Sequence, residues 1–324
     1  MQSDVKEKSR RFLKLIEAAD TISILGHMRP DGDCIGSLLS LYNYITENFK
    51  EKTVHVYSDK FSNDFKFLNG AKKIKHSLKD KFHYDLSISV DASDTDRHGD
   101  FAEVFSTAIT TVCLDHHVSN TGFGDYCYVD ADASSCCEVI ADMLDMDKIS
   151  KNTAECLYLG MVHDTGVFKY SSTSRKTMEI AGRLIEKGVN TAYIIDETFY
   201  KKSYKQNLLM ARCILESNLH FEGKVISGFI SKEMFKEFGC TTMDTEGIVE
   251  QLRLTDGVEV AVFTYQLTKK TYKFSLRAKN YVDVSSIATT FGGGGHIRAA
   301  GFETDLTYED AMNKVLELVK EQLK

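Results

Sequence analysis

Short apolar runs alternating with helical segments govern what the first 190 residues of this chain can become. TISILGH (21–27), VHVYSD (54–59), DLSISVDAS (85–93) and TTVCLDHH (110–117) read as strands. Helical apolar spacing covers the opening MQSDVKEKSRRFLKLIEAAD and residues 34–49, 136–146, 152–163 and 174–187. Strands that are apolar on both faces belong inside a sheet covered by helices, and crossover helices are what join parallel neighbours. The reading is therefore an α/β domain with a parallel sheet.

Each strand run turns polar only at its C-terminal end. In open parallel sheets ligands bind beyond those ends, and here they carry a concentration of Asp and His. GHMRPDGDCIGS (26–37) supplies His27, Asp31 and Asp33 between a strand and a helix, and the only proline of the chain, Pro30, stiffens that loop. DASDTDRH (91–98) supplies Asp91, LDHH (114–117) supplies Asp115, His116 and His117, and HDTG (163–166) supplies Asp164. One Asp-x-Asp or one His-His pair is ordinary loop chemistry. Four such clusters at one sheet edge form a donor set for divalent cations, with carboxylate oxygens and imidazole nitrogens and no need of cysteine. Two cations sharing a carboxylate would neutralise phosphoryl oxygens, acidify a water and support in-line attack on phosphorus.

Composition narrows the partners. The net charge of −7, with the acidic excess in the first 200 residues, argues against an extended electrostatic grip on duplex DNA. No apolar run is long enough to span a bilayer, and the N-terminal segment lacks the apolar stretch of a signal peptide. The eight cysteines show no CxxC spacing, so reduced, buried thiols in a cytoplasmic protein are expected.

After residue 190 the rhythm changes. Residues 191–216, containing SYKQNLLMARCILESN, read as a helical connector, and 217–324 as a smaller α/β domain. Its strands are expected at 224–231, 259–267 and 271–279, and its helices near 284–291 and 307–323. In TYKFSLRAKN (271–280), Lys273, Ser275, Arg277 and Lys279 share one face of a strand, with Tyr272, Phe274 and Leu276 on the other. The four glycines of FGGGGHIRAAGF suit a close backbone approach. Gly293, Gly294 and Gly295 could present amides to an anion, with His296 and Arg298 adding donors. Ser134, Ser135, Ser171 and Ser172 are weaker candidates for polar contacts from the first domain.

The set His27-x-x-x-Asp31-x-Asp33, Asp91, Asp115-His116-His117 and Asp164 resembles the DHH phosphoesterase superfamily, and GGGGHIRAAG (292–301) resembles its accessory DHHA1 domain. The resemblance implies a DHH catalytic domain over 1–190, a connector over 191–216 and a DHHA1 substrate-binding domain over 217–324, with the active cleft between the two domains. It implies one cation on His27, Asp31 and Asp91. A second would sit on Asp33, Asp91, His116 and Asp164, with Asp91 shared and Asp164 a further candidate to reach both. His117 would serve the scissile phosphate or leaving group, Asp115 would orient the histidines, and Arg277 would meet substrate phosphate. Manganese is the expected cation, with magnesium or cobalt as alternatives.

A bare two-domain chain most resembles the bifunctional oligoribonuclease/pAp phosphatases (nano-RNases). These release nucleoside 5′-monophosphates from very short RNA and AMP from 3′-phosphoadenosine 5′-phosphate (pAp). The alternatives are a phosphodiesterase for linear or cyclic dinucleotides such as pApA, pyrophosphate or polyphosphate hydrolysis, and, in another class, a non-catalytic nucleotide sensor. The expected partners are short RNA or DNA oligonucleotides or nucleotides, no membrane, and a homodimer is compatible with the resemblance.

Overall fold

Thr21–Leu25 (β1), Leu86–Val90 (β4) and Thr110–Asp115 (β5) are buried along almost their whole length, so they occupy the centre of a sheet. Thr53–Tyr57 (β2) and the short Ile74–Lys75 (β3) extend it on one side, and Tyr126–Val129 (β6) on the other. All five pairings are parallel, in the order β3-β2-β1-β4-β5-β6. The computed structural model from which this is read describes residues 2–78, 82–120 and 122–324, with residues 2–4 as backbone alone.

That order fixes where a ligand can sit. The chain enters at β1, builds outward through β2 to β3, then returns to place β4 on the other side of β1. Connections therefore diverge at the carboxyl ends of β1 and β4, and a crevice opens there. His27 leaves the end of β1 and Asp91 the end of β4. The helices covering the sheet are Gln2–Ala18 (α1), Gly32–Asn48 (α2), Ala102–Ser106 (α3), Cys136–Met143 (α4), Lys151–Asp164 (α5) and Arg175–Glu186 (α6), followed by Thr191–Ile195 (α7). Phe12 and Ile16 of α1, Ile35, Leu38 and Leu39 of α2, and Leu157 and Val162 of α5 join Ile22, Ile24 and Ile88 of the sheet in one core.

The chain divides into two compact units, Met1–Lys201 and Lys202–Lys324. The division falls inside the stretch read as connector, because Tyr204–Leu215 (α8) buries Leu209 and Cys213 in the core of the second unit. That unit contains a mixed six-stranded sheet in the order β11-β12-β10-β9-β8-β7. Its strands are Asn218–His220 (β7), Val225–Ile230 (β8), Val260–Gln266 (β9), Tyr272–Ala278 (β10), Gly294–His296 (β11) and Ala299–Thr304 (β12). Only β8 and β9 pair in parallel.

Its helices are Lys232–Phe238 (α9), Ile248–Arg253 (α10), Val284–Thr289 (α11) and Tyr308–Lys320 (α12). Phe274 and Leu276 pack with Ile287 of α11 and Val315 of α12 on one face of the sheet. Ala261 and Phe263 pack with Leu252 of α10 and Leu209 of α8 on the other. The alternation expected along β10 is present, with Phe274, Leu276 and Ala278 buried and Lys273, Ser275 and Arg277 partly exposed.

Candidate active site

Asp31 ends the loop after β1 as the N-cap of α2, its Oδ1 accepting from the amides of Asp33 and Cys34 at 3.1 Å each. This cap starts the helix two residues before the apolar spacing suggests. It also carries Asp33 into the first turn, fully buried. There the Asp33 carboxylate accepts from the amides of Cys136 (2.6 Å) and Cys137 (3.0 Å). Those are the first amides of α4, so a helix N-terminus holds this anion in place. His27 is aligned by its own loop, its Nδ1 donating to the Met28 carbonyl at 2.8 Å. A neutral imidazole tied this way keeps a bare lone pair on Nε2, the form a cation requires.

Asp91 stands between the two halves of the site. Its Oδ2 lies 3.3 Å from His27 Nε2, and its Oδ1 lies 3.6 Å from His116 Nε2. The residue adopts a left-handed backbone (φ +54°), a conformation that Asp tolerates better than most side chains and that recurs at functional sites. It is 2% exposed, and Oδ1 is buried without a hydrogen-bond partner. His116 Nε2 continues the chain of contacts to Asp164 Oδ2 (3.1 Å), at the end of α5, and to Asp33 Oδ2 (3.8 Å). His27 and Asp31 Oδ1 are 3.8 Å apart.

Beside this line, His117 donates through Nδ1 to Asp115 Oδ1 at 2.7 Å, and Asn120 Nδ2 donates to the other oxygen, Asp115 Oδ2, at 2.8 Å. Sequence reasoning found Asp115 and missed Asn120, which no spacing marks. His163 Nε2, also missed, meets Thr198 Oγ1 at 2.9 Å in a π-helical turn, Asp196–Tyr200.

Electrostatics follow from the crowding. Burial pushes the Asp33 carboxyl well up, and the neighbouring Asp91 and Asp164 push it further; burial likewise raises Asp91. Burial opposes charge on His116, yet Asp164, Asp33 and Asp91 together lift it to about 10. At His27 burial is outweighed by hydrogen bonding to Asp31 and Asp91, which holds the imidazole far above its ordinary value. Asp31 shows the converse: burial opposes its charge, but His27 and two amides bring it down to about 2. The hydrogen bond to Asp115 raises His117, whereas Asp115, despite burial, is lowered by His117 and Asn120. In the absence of metal, protons on imidazoles and carboxyls balance the negative charge.

Divalent cations would balance the same charge, and the donors fit them. Ligand atoms of Asp33, His116 and Asp164 lie within 4.8 Å of one another, as do those of Asp91, His116 and His117, and those of His27, Cys34 and Asp91. Oxygen and imidazole donors of this kind suit manganese, magnesium or cobalt. Every Asp and His singled out in the first unit thus comes to one edge of the sheet. Two of the serines have local tasks. Ser134 Oγ donates to Glu138 at 2.6 Å and Ser135 caps α4, while Ser171 and Ser172 are exposed in a turn.

The candidates of the second unit cluster around β10 and β11. Arg277 lies on the polar face of β10, 3.3 Å from Glu250 of α10. Arg298 donates to the Val282 carbonyl at 2.7 Å, which ties it to the turn before α11. The amide of Gly293 donates to the Ala288 carbonyl at 3.0 Å, and a Cβ at Gly293 would press into Phe302 and the Gly301 carbonyl. Close packing therefore accounts for that glycine. Gly294, Gly295 and His296 form the exposed edge strand β11.

The eight cysteines are all free, and Cys127 alone is exposed. No helix among the described residues is long and apolar enough to cross a membrane.

Comparison with known proteins places both parts of the chain in known domain families. Residues 21–161 match the DHH family, N-terminal domain, and residues 222–324 match the DHHA1 domain. A Streptococcus mutans protein described as "Probable bifunctional oligoribonuclease and PAP phosphatase NrnA" is 31% identical over 295 residues, covering 90% of this chain and 92% of that protein. The Thermus thermophilus bifunctional oligoribonuclease and PAP phosphatase NrnA is 27% identical, covering 98% of this chain and 95% of its own. The Listeria monocytogenes cyclic-di-AMP phosphodiesterase PdeA is 26% identical over 96% of this chain but only 49% of that protein. Among solved structures, an exopolyphosphatase-related protein from Bacteroides fragilis superposes with a TM-score of 0.84 at 26% identity, covering 98% of this chain and 96% of that one. With its Asp-His-His triplet at the end of β5, its cluster of carboxylates and imidazoles around Asp91 and relatives matched over nearly their full length, this chain belongs to the DHH family of phosphoesterases.

Proposed function

We propose that this phosphoesterase uses two divalent cations, manganese foremost, to hydrolyse di- to pentanucleotide RNA to nucleoside 5′-monophosphates and pAp to AMP. The observation that carries the proposal is the position of Asp91, one carboxylate facing His27 through one oxygen and His116 through the other. A shared carboxylate is what two cations a few ångströms apart require. The first would rest on His27, Asp31 and Asp91, and the second on Asp33, Asp91, His116 and Asp164. The names borne by the Streptococcus and Thermus relatives support the choice of substrates. Free, mostly buried thiols suit work in the reducing cytoplasm.

Bound cations would supply Lewis-acid neutralisation of the phosphoryl oxygens and a more acidic water. The residues of the chain supply the rest. The α4 amides hold Asp33, and the Met28 carbonyl fixes the His27 tautomer. Asp115 accepts from His117 Nδ1 and favours the doubly protonated ring, so this half-exposed imidazolium can give its Nε2 proton to the leaving oxygen. In the second unit Arg277 and His296 are assigned to substrate phosphate, with the open side of Gly294 allowing it to approach the backbone and Gly293, Gly295 and Arg298 holding that turn in shape.

The test is product analysis. Protein stripped of metal and resupplied with manganese is offered pAp, a dinucleotide, a pentanucleotide and a long RNA in separate reactions. Mononucleotides from both short RNAs and AMP from pAp, with slow action on the long strand, are expected. Turnover of the dinucleotide alone would move the assignment to a dinucleotide phosphodiesterase. Silence on all four with manganese bound would defeat the proposal.

A further inference from the structure

The chain turns sharply after Asp164. Gly166, Val167 and Phe168 are all left-handed, with φ of +55°, +60° and +60°, and Val167 is β-branched, for which this conformation is costly. Thr165, fully buried, imposes the turn. Its Oγ1 donates to the Met161 carbonyl and accepts from the Phe168 amide at 2.9 Å, and its carbonyl accepts from the amides of Lys169 and Tyr170, both at 2.9 Å. Val167 and Phe168 pack against the core of the first unit. The residues that follow are sent outward, and Tyr170 emerges 52% exposed. Strained backbone that persists only because its surroundings dictate it clusters where ligands are held.

A tyrosine on a surface needs no explanation by itself, but this one has a seat. The far end of its ring lies over Gly166, where a Cβ would come within 2.5–2.8 Å of three ring atoms. Any side chain at 166 would lift the ring away. Among the described residues no other ring packs on Tyr170, and its hydroxyl has no hydrogen-bond partner. The seat is two residues beyond Asp164, whose carboxylate meets His116 in the candidate site. A ring laid on backbone, more than half in solvent and beside groups suited to phosphate has the properties of a surface on which a nucleobase stacks.

We propose that Tyr170 is a stacking platform for a base of the short RNA or of pAp. This deepens the function proposed above and rests on it. Every base has a π-face, so the platform accepts all four; purines, with the larger face, gain most. The first unit would then recognise the nucleoside as well as the phosphate, and a phosphorylated sugar without a base would be a poor substrate.

The test is a cycle that removes the ring from the full-length protein and the base from the substrate. Wild type, Tyr170→Ala, Tyr170→Leu and Tyr170→Phe, all supplied with manganese, are offered pAp against ribose 3,5-bisphosphate, and the dinucleotide ApA against UpU. Tyr170→Ala should lower kcat/KM for pAp about 5- to 150-fold, the range expected for a lost base–aromatic stack, chiefly through KM. Ribose 3,5-bisphosphate should lose far less, and the preference for ApA over UpU should flatten. Tyr170→Leu, which keeps apolar bulk without an aromatic face, should behave like Tyr170→Ala, whereas Tyr170→Phe should restore the gain from the base. Equal losses on both members of a pair, recovery in Tyr170→Leu, or a fall in manganese content would reduce the ring to a support for the turn and overturn the proposal, as would unaltered kinetics. Wild-type turnover of pAp and dinucleotides would in those cases leave the parent reading intact, while a wild type silent on them all would remove both.

Discussion

Asp91 joins two tasks that substitutions can separate. Asp91→Ala removes the shared carboxylate and leaves a residue that tolerates the left-handed backbone less well. Turnover should drop to background and the bound manganese, counted by elemental analysis, should fall. Asp91→Asn keeps the backbone compatible, so it should be equally inactive yet better folded; near-normal activity in either variant would sink the shared-carboxylate model. Asn120 offers a finer probe. It donates to Asp115, and Asp115 in turn holds His117. Asn120→Ala should lower kcat about 10- to 100-fold, as is usual when the partner orienting a functional histidine is lost. Manganese content and KM should stay close to the wild type. A fall in metal content instead would show that His117 is holding an ion and not presenting a proton.

At the scale of elements, the site depends on how closely α2 and α5 approach. A Cβ on Gly160 of α5 would press into the Cys137 sulfur and lie 2.6 Å from Asp33 Oδ1. Gly160→Ala should therefore push Asp33 from the α4 amides, costing about 1–3 kcal/mol by overpacking and weakening cation binding; urea melts and manganese titration read the two effects separately. No sequence rule announces that contact, since a glycine inside an apolar helical pattern is only a weak negative signal. What was legible were the strands whose apolar runs stop at Asp or His, because burial on both faces and a polar loop leave a mark in one dimension. The strands β3 and β6 left none, one being two residues long and the other a half-exposed edge. β12, AAGFET, is poor in strand formers and is recruited by its register with β10. Asn120 stayed hidden for a related reason: its partner is brought to it by the fold of the loop, and its residue type is unremarkable.

For the whole molecule the two units call for different tests. Arg277→Ala in the second unit should raise KM for pAp and short RNA and leave metal content and the stability of the first unit unchanged; unaltered kinetics would exclude Arg277 from the substrate. The second unit also has its own weak point in acid. Glu259 is 3% exposed, and its carboxylate accepts from the amides of Asn280 (3.0 Å), Tyr281 (2.8 Å) and Val282 (3.2 Å). Burial opposes its charge, but these amides hold it below the usual carboxylate range. A depressed pKa means that its contribution is complete above the unfolded value of about 4.3 and is lost as pH falls through the folded one. Hydrogen exchange at residues 280–282 should therefore accelerate below about pH 4 before that of β1 and β4. Glu259→Ala should bring the same opening to neutral pH at a cost of about 3 kcal/mol, and uniform exchange across both units would contradict it.

The grip of the α4 amides on Asp33 has a consequence for the life of the protein. As a proposed ligand anchored by backbone, Asp33 does not wait for an ion to be put in position, so the site is built before it is loaded. Chelation should then leave far-ultraviolet circular dichroism unchanged and shift the melting temperature by only a few degrees, unlike metal domains that unfold when stripped. Activity lost to scarcity of metal would return as fast as ions diffuse back, with no refolding in between, and the supply of ions could act as a throttle on a standing pool of enzyme.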